Sequence, residues 1–249
     1  MPASMFKTLF KKQPSGAQAP EGERLYAIGD VHGCADELDK LLDKIEADAS
    51  GHNNTRIIFL GDYVDRGPDS KGVLDRLIAL KEQRPCTIFL KGNHEALMLD
   101  FLEHPEDMMH WLDWGGQETL QSYDIRDIAG RSNKALGAAL REKMPDTHIE
   151  FLNALTLTHL AGDYLFVHAG VRPDVALDDQ TEEDLIWIRK RFHNTPEDKR
   201  LEQTIVHGHQ PVKKPMDKGW RIDVDTGACW SGMLTAVVLE GTTRRFIST

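Results

Sequence analysis

Five apolar runs of strand length in this chain carry, at or near their ends, side chains able to ligate a metal ion. LYAIGD (25–30) and RIIFLGD (56–62) end in Gly-Asp, and CTIFLKGN (86–93) ends in Gly-Asn. YLFVHAG (164–170) carries His168, and TIVHGH (204–209) carries His207 and His209. Asp30 and Asp62 are 32 residues apart, and Asp62 and Asn93 are 31 apart, each interval being one strand, one helix and a return. Ligands of open α/β sheets gather at the carboxyl ends of strands. Asp30, His32, Asp62, Asn93, His168 and the His207/His209 pair are therefore expected to converge at one edge. The adjoining glycines permit sharp exits and close backbone approach.

These donors are oxygens and imidazole nitrogens, a set that suits Mn, Fe or Zn and shows no thiolate preference. Such a set exceeds one tetrahedral site, so two ions are expected. Two ions roughly 3.5–4 Å apart clamp the attacking and leaving oxygens of an in-line displacement. Without cations, clustered carboxylates resist joint ionisation. Any one of these residues alone would read as a turn residue or a satisfied hydrogen-bonder. The whole set at successive strand ends reads as a site.

The segments between these runs must position them. Residues 35–49 place Leu38, Leu41, Leu42 and Ile45 on one helical face, and residues 70–84 do the same with Val73, Leu74, Leu77, Ile78 and Leu80. Further helical patterns cover 95–103, 134–143 and 181–191. Strands alternating with helices predict βαβ units and a mostly parallel sheet. RIDVDTG (221–227) and MLTAVVLEG (233–241) follow shorter links and point to a mixed or second sheet. A chain of 249 residues suits one large domain better than two small ones.

Acids outnumber bases 40 to 30, for a net charge of −10. That is poor ground for phosphate-backbone contacts, so no nucleic-acid partner is expected. Cys34, Cys86 and Cys229 show no CxxC spacing, which fits a reducing, cytoplasmic compartment. No apolar run approaches the roughly 20 residues of a membrane span, and the start lacks the apolar core of a secretory signal. Residues 13–23 are rich in Pro, Gly, Ala and Gln and are expected to be a flexible lead-in. Met5, Phe6, Leu9 and Phe10 with nearby lysines would make only a weak surface anchor, so no stable membrane association is expected.

The blocks GDVHG (29–33), GDYVDRG (61–67) and GNHE (92–95), followed by FVHAG (166–170) and VHGHQP (206–211), resemble the metallophosphoesterases. Specifically they resemble the phosphoprotein phosphatase family of binuclear serine/threonine phosphatases, in its bacterial and phage branch. The resemblance spans residues 25–211 in order. It implies an α/β metallo-dependent phosphatase fold: a central β-sandwich of mixed sheets flanked by helices. A lead-in over 1–23 would precede a single domain over 24–249.

The resemblance also implies two divalent ions, with Mn2+ expected and Fe or Zn as alternatives. Asp30 and His32 match ligands of the first metal, and Asp62 matches the bridging carboxylate. Asn93, His168 and His209 match ligands of the second, with His207 the alternative for the last. Arg66, in VDRG, and Arg189, in IWIRKRF (186–192), match phosphate-binding arginines, with Asn93 also at the substrate. The alternative for Arg189 is a surface position beside Lys190 and Arg191. His94 matches the catalytic histidine and Asp65 its partner. A departing serine alkoxide needs a proton, and a carboxylate orients the imidazole and favours its protonated form.

The implied reaction is hydrolysis of a phosphomonoester, carried by a phosphorylated protein or a small molecule. Water activated between two ions attacks phosphorus in line while Arg66 and Arg189 stabilise the equatorial oxygens. A symmetrical bis(5'-nucleosyl)-tetraphosphatase is the nearest alternative. HAGVRP (168–173) and DTGACW (225–230) fit that branch, whereas the retained Asp65 and Glu95 favour a phosphatase. A non-catalytic phosphoprotein adaptor is a third reading, disfavoured because every expected catalytic residue is present. Trp111, Trp114, Met108 and Met109 read as core rather than as a lid. Cys34 reads as a small buried residue.

Overall fold

Alternate side chains of the first strand enter different cores. In a computed structural model, which describes residues 16–108 and 110–249, β1 (Arg24–Ile28) sends Leu25 and Ala27 to one face and Tyr26 and Ile28 to the other. A strand apolar at nearly every position must be covered on both sides. β2 (Thr55–Phe59) lies parallel to β1 in the register Arg24–Thr55 through Ile28–Phe59, and β3 (Ile88–Phe89) lies parallel to β2.

A second sheet follows in sequence. β4 (Thr158–Ala161) pairs antiparallel with β5 (Tyr164–Val167), which runs parallel to β6 (Thr204–His207). β7 (Met216–Asp217) forms the far edge, antiparallel to β8 (Arg221–Asp223), which itself runs parallel to β6. The chain then returns to the first sheet. β9 (Thr235–Glu240) lies antiparallel to β1, and β10 (Thr243–Ser248) lies antiparallel to β9. The two five-stranded orders are β10-β9-β1-β2-β3 and β4-β5-β6-β8-β7.

Leu25, Ala27, Ile58, Phe166, Val206 and Ile222 meet between the sheets. The outer face of the first sheet is covered by α1 (Ala35–Ala49), α2 (Ser70–Gln83), α3 (Asn93–Glu103), α4 (Gly116–Ser122), α5 (Asn133–Lys143) and α6 (Asp146–Asn153). α7 (Glu182–Trp187) and α8 (Lys190–His193) cover the second, where Leu185, Ile186 and Phe192 pack on Leu165, Val167 and Ile205. This is the expected α/β sandwich of mixed sheets flanked by helices.

Three expectations change. The run 86–93 pairs as a strand only at Ile88–Phe89. The helix expected over 181–191 breaks, because Ile188 is extended and Arg189 lies outside helical space at φ −131°, ψ −105°. The part of the lead-in over 16–23 is packed rather than flexible. Ala17 and Ala19 are buried, Gln18 N donates to Asp163 Oδ2 (2.9 Å), and Ala19 N donates to Gly241 O (2.9 Å). The small alanine side chains fit into the sandwich core while the backbone donors find partners. The rest of the expected lead-in, with Met5, Phe6, Leu9 and Phe10, lies outside the described residues, as does Met109. Among the described residues, no helix is long and apolar enough to cross a membrane.

Candidate active site

The sequence places the expected ligands just past strand ends, and the fold brings those ends together. Asp30 and His32 follow β1, Asp62 follows β2, and Asn93 opens α3. His168 follows β5, and His209 follows β6. All six are buried. His32 Nε2 lies 3.5 Å from Asp62 Oδ2, and His168 Nε2 lies 3.4 Å from Asp62 Oδ1. His168 Nε2 is also 3.1 Å from Asn93 Oδ1, and its ring is 5.0 Å from that of His209. Potential donor atoms of Asp62, His168 and His209 lie within 4.8 Å of one another, and so do those of His32, Asp62 and His94. Asp62 thus belongs to both groups. His207 stands apart, grouped with His193 and Asp223, and its Nε2 accepts from Arg221 Nη1 (3.1 Å).

The chemistry of the set fits two cations. His32 Nδ1 pairs with Val64 O (2.8 Å) and His168 Nδ1 with Leu60 O (3.0 Å), so each Nε2 faces Asp62. Such outer contacts fix the tautomer of ligating imidazoles. Burial holds His32 at about 3 and His209 at about 2, keeping both lone pairs free of protons at neutral pH. The carboxyls have the opposite difficulty. Burial, with Asp225 and Asp62 nearby, raises Asp30 well above the usual carboxylate range. Burial also pushes Asp225 up to about 6, within hydrogen-bonding reach of Asp30. Burial would raise Asp62 too, but His168 and His94 hold it well below its ordinary value. Three carboxyls in one dry pocket call for positive charge beside neutral nitrogen donors.

Asp225 was not among the sequence-derived candidates. Its only signal was the DTGACW turn, in which Asp225 Oδ1 accepts from Gly227 N (2.9 Å). The local backbone is held away from ordinary geometry. Of seven non-glycine residues with positive φ among those described, five are His32, Asp62, Asp65, Arg66 and His209. Strain of this kind persists where the surroundings over-determine it, commonly at functional sites.

His94 Nδ1 lies 2.7 Å from Asp65 Oδ2. Trp111 Nε1 donates to the same oxygen (2.9 Å), and Thr119 Oγ1 donates to Oδ1 (2.6 Å). With Nδ1 turned to Asp65, His94 Nε2 faces the ligand cluster, its ring 4.7 Å from that of His32. Burial opposes charging His94, but Asp62 and Asp65 outweigh it and leave its pKa above the ordinary value. Trp111 is core, as its sequence context suggested, yet its indole N–H also holds Asp65, whereas Trp114, also expected in the core, is exposed because its ring lies on the turn surface. Neither Trp111 nor Thr119 had been singled out for this task. Cys34 is buried, as expected.

Glu95 holds the loops together. Its carboxylate accepts from Asp62 N (2.8 Å), Tyr63 N (2.7 Å) and Gly92 N (2.9 Å). Burial, with Asp62 close by, pushes it up to about 7. A side chain at Gly92 would run into Asp62 and Glu95, so glycine is required there.

Two arginines approach from different sides. Arg66 N donates to Gly115 O (3.1 Å), and its Nη1 reaches His32 Nε2 (2.5 Å). Arg189 sits at the break between α7 and α8 and donates from Nε to His209 Nε2 (3.0 Å). The break is what turns Arg189 toward the cluster, instead of leaving it on a helix surface beside Lys190 and Arg191.

The model of the calcineurin-like phosphoesterase family matches residues 23–232. This chain belongs to that family. Among curated relatives, the asymmetrical bis(5'-nucleosyl)-tetraphosphatase PrpE of Anoxybacillus flavithermus is 31% identical over 223 residues, covering 84% of this chain and 88% of the relative. The enzyme of the same name from Bacillus velezensis is 28% identical, covering 84% and 86%. A solved structure provisionally named a diadenosine tetraphosphatase superposes with a TM-score of 0.63 at 21% identity, covering 93% of this chain and 98% of that one. That structural likeness speaks for the fold. The phosphoesterase is a metal-binding hydrolase by family.

Proposed function

We propose that this phosphoesterase hydrolyses dinucleoside polyphosphates, releasing products asymmetrically. The observation that carries the reading is the similarity, over most of both chains, to relatives named asymmetrical bis(5'-nucleosyl)-tetraphosphatases. Arg66 and Arg189 reach the ligand cluster at His32 and His209 respectively, where both forks can meet a phosphoryl group. This reading departs from the serine/threonine phosphatase expected from sequence and from its symmetrical tetraphosphatase alternative.

When bound, the two ions supply Lewis acidity toward the phosphoryl oxygens and lower the pKa of water. The chain's residues do the rest. Asp30, His32, Asp62, Asn93, His168 and His209 would hold the ions, with Asp225 against Asp30. The guanidinium forks of Arg66 and Arg189 take the equatorial phosphoryl oxygens, where charge collects. His94 Nε2 gives its proton to the leaving oxygen. Asp65 keeps Nδ1 protonated and the ring aimed.

A second reading is a serine/threonine protein phosphatase. The buried His94–Asp65 pair favours it, because an alkoxide leaving group depends on a proton donor more than a phosphate leaving group does. One panel separates the two. Mn-loaded protein is given diadenosine tetraphosphate, a phosphoserine peptide and p-nitrophenyl phosphate, with products resolved by ion exchange. The proposal expects AMP and ATP, with the highest kcat/KM for the dinucleotide. A higher value for the phosphopeptide would replace it with the second reading. ADP as the sole product would restore the symmetrical one.

A further inference from the structure

Among the described residues, three large hydrophobic side chains are markedly exposed: Trp230 at 64%, Leu160 at 50% and Trp114 at 46%. Trp230 stands against the Arg66 side chain, and Trp114 precedes the residue that pairs with the Arg66 backbone. The guanidinium carbon of Arg66 lies 5.1 Å from the centroid of the Trp230 ring. Trp230 rides on the single turn α9 (Ala228–Ser231), set between the left-handed Gly227 and Gly232. Its six-membered ring lies over Gly227, which also neighbours Pro211, two residues beyond His209. Trp114 immediately precedes Gly115, whose carbonyl receives the Arg66 amide. The Trp114 ring meets Trp187 edge-on at 5.8 Å, and Trp187 in turn lies 6.1 Å from His209. Exposed indoles are costly to leave in water, and large apolar surfaces on folded proteins commonly mark binding sites. Here they adjoin the phosphate-binding arginine rather than lying elsewhere on the molecule.

We infer that Trp230, with Trp114 on the neighbouring turn, forms a stacking platform for the nucleobase of the substrate. The inference rests on the nucleotide reading above and names the residues that recognise the nucleoside. Every base has a π face, so such a platform tolerates adenine and guanine alike. Arg66 touches Trp230 and also reaches His32, so the platform is one side chain away from the reacting phosphoryl group. A base seated there places the attacked phosphorus near the nucleoside end of the polyphosphate, which matches asymmetric release.

Calorimetry on the Mn-loaded protein tests this with α,β-methylene-ADP and with methylenediphosphonate, the same head group without a nucleoside. The nucleotide should bind about 5- to 150-fold more tightly, since stacking one base is worth about 1–3 kcal/mol. Trp230→Ala should remove most of that advantage, Trp230→Phe should keep part of it, and the affinity for methylenediphosphonate should stay constant. Guanine and adenine forms should differ less than threefold. Equal affinity for the two ligands in the wild type would overturn the platform. So would a tenfold advantage that survives in the Trp114→Ala/Trp230→Ala double variant. If the wild type shows the advantage yet leaves diadenosine tetraphosphate uncleaved, the platform stands and the proposed activity falls.

Discussion

Replacing Asp65 by asparagine removes one charge while preserving the shape around His94. Asp65 is fully buried, and its two oxygens accept from His94, Trp111 and Thr119. An asparagine carbonyl in the position of Oδ2 keeps the first two contacts. Its NH2 then faces the Thr119 hydroxyl, which accepts from the backbone N of residue 65 (2.9 Å) and can take the new donor by turning its own proton to Ser70 Oγ (2.9 Å). What disappears is the negative charge that helps Asp62 lift the pKa of His94 against burial. Each pKa unit lost costs about tenfold in protonated histidine above that pKa. General acid catalysis as a whole is worth about 10²–10⁴-fold. We therefore expect kcat for an alkyl phosphate to fall about 10²–10⁴-fold, and less than about tenfold for p-nitrophenyl phosphate, whose leaving oxygen needs little protonation. The alkaline limb of the pH profile should move to lower pH. The assay is a leaving-group series on protein with metal content verified by elemental analysis. A uniform loss across the series, with both ions retained, would refute the acid role of His94.

Other perturbations probe separate parts of the structure. Asp62→Asn weakens the residue shared by both donor groups, so elemental analysis should find fewer than two ions per chain; full metal-dependent turnover would contradict the shared position. Cations at about 100 times their Kd stabilise the folded state by about 2.7 kcal/mol. That figure holds for each site, so stripping both ions with a chelator should lower Tm by about 10–20 °C, and identical melting curves would argue against the ion fit. Asp48 accepts from Tyr26 OH (2.7 Å) and Arg24 Nη1 (3.2 Å) and pairs with Arg245 (2.5 Å). Burial would raise its pKa, but Arg245 and Tyr26 bring it below the usual value. A depressed carboxyl stabilises the fold above its unfolded pKa of about 3.9 and loses that contribution as pH falls through the folded value. Asp48→Asn should thus cost about 1 kcal/mol at pH 7, with the gap from wild type closing as pH falls below the unfolded value and through the lower folded one. A gap constant with pH would show that charge plays no part.

The donor cluster was legible because each member follows a strand within a few residues, and the glycine beside it marks the exit. The strand–helix alternation gave the layers for the same reason, since periodicity reports which face is covered. The supports of the site were not legible. Trp111 and Thr119 reach Asp65 from 46 and 54 residues away, and no local pattern distinguishes them from other core residues. Asp225 matters only because β8 ends beside β1. The break before Arg189 has neither glycine nor proline to announce it, so the helical period ran on through it. The composition of residues 16–23 suggested looseness, whereas the small size of Ala17 and Ala19 is what lets that segment pack.

The first three residues of α3 divide the labour of the site: Asn93 faces His168, His94 meets Asp65, and Glu95 binds the amides of the neighbouring loop. Because these contacts pass through one helical turn, the reactive apparatus is indivisible, and an insertion anywhere within it would disable every part at once. Trp230 hangs instead on a short turn that carries no sheet hydrogen bonds. Its side chain can be exchanged without disturbing the helix start, so this scaffold should be retargetable to new esters by changing that part of its rim alone.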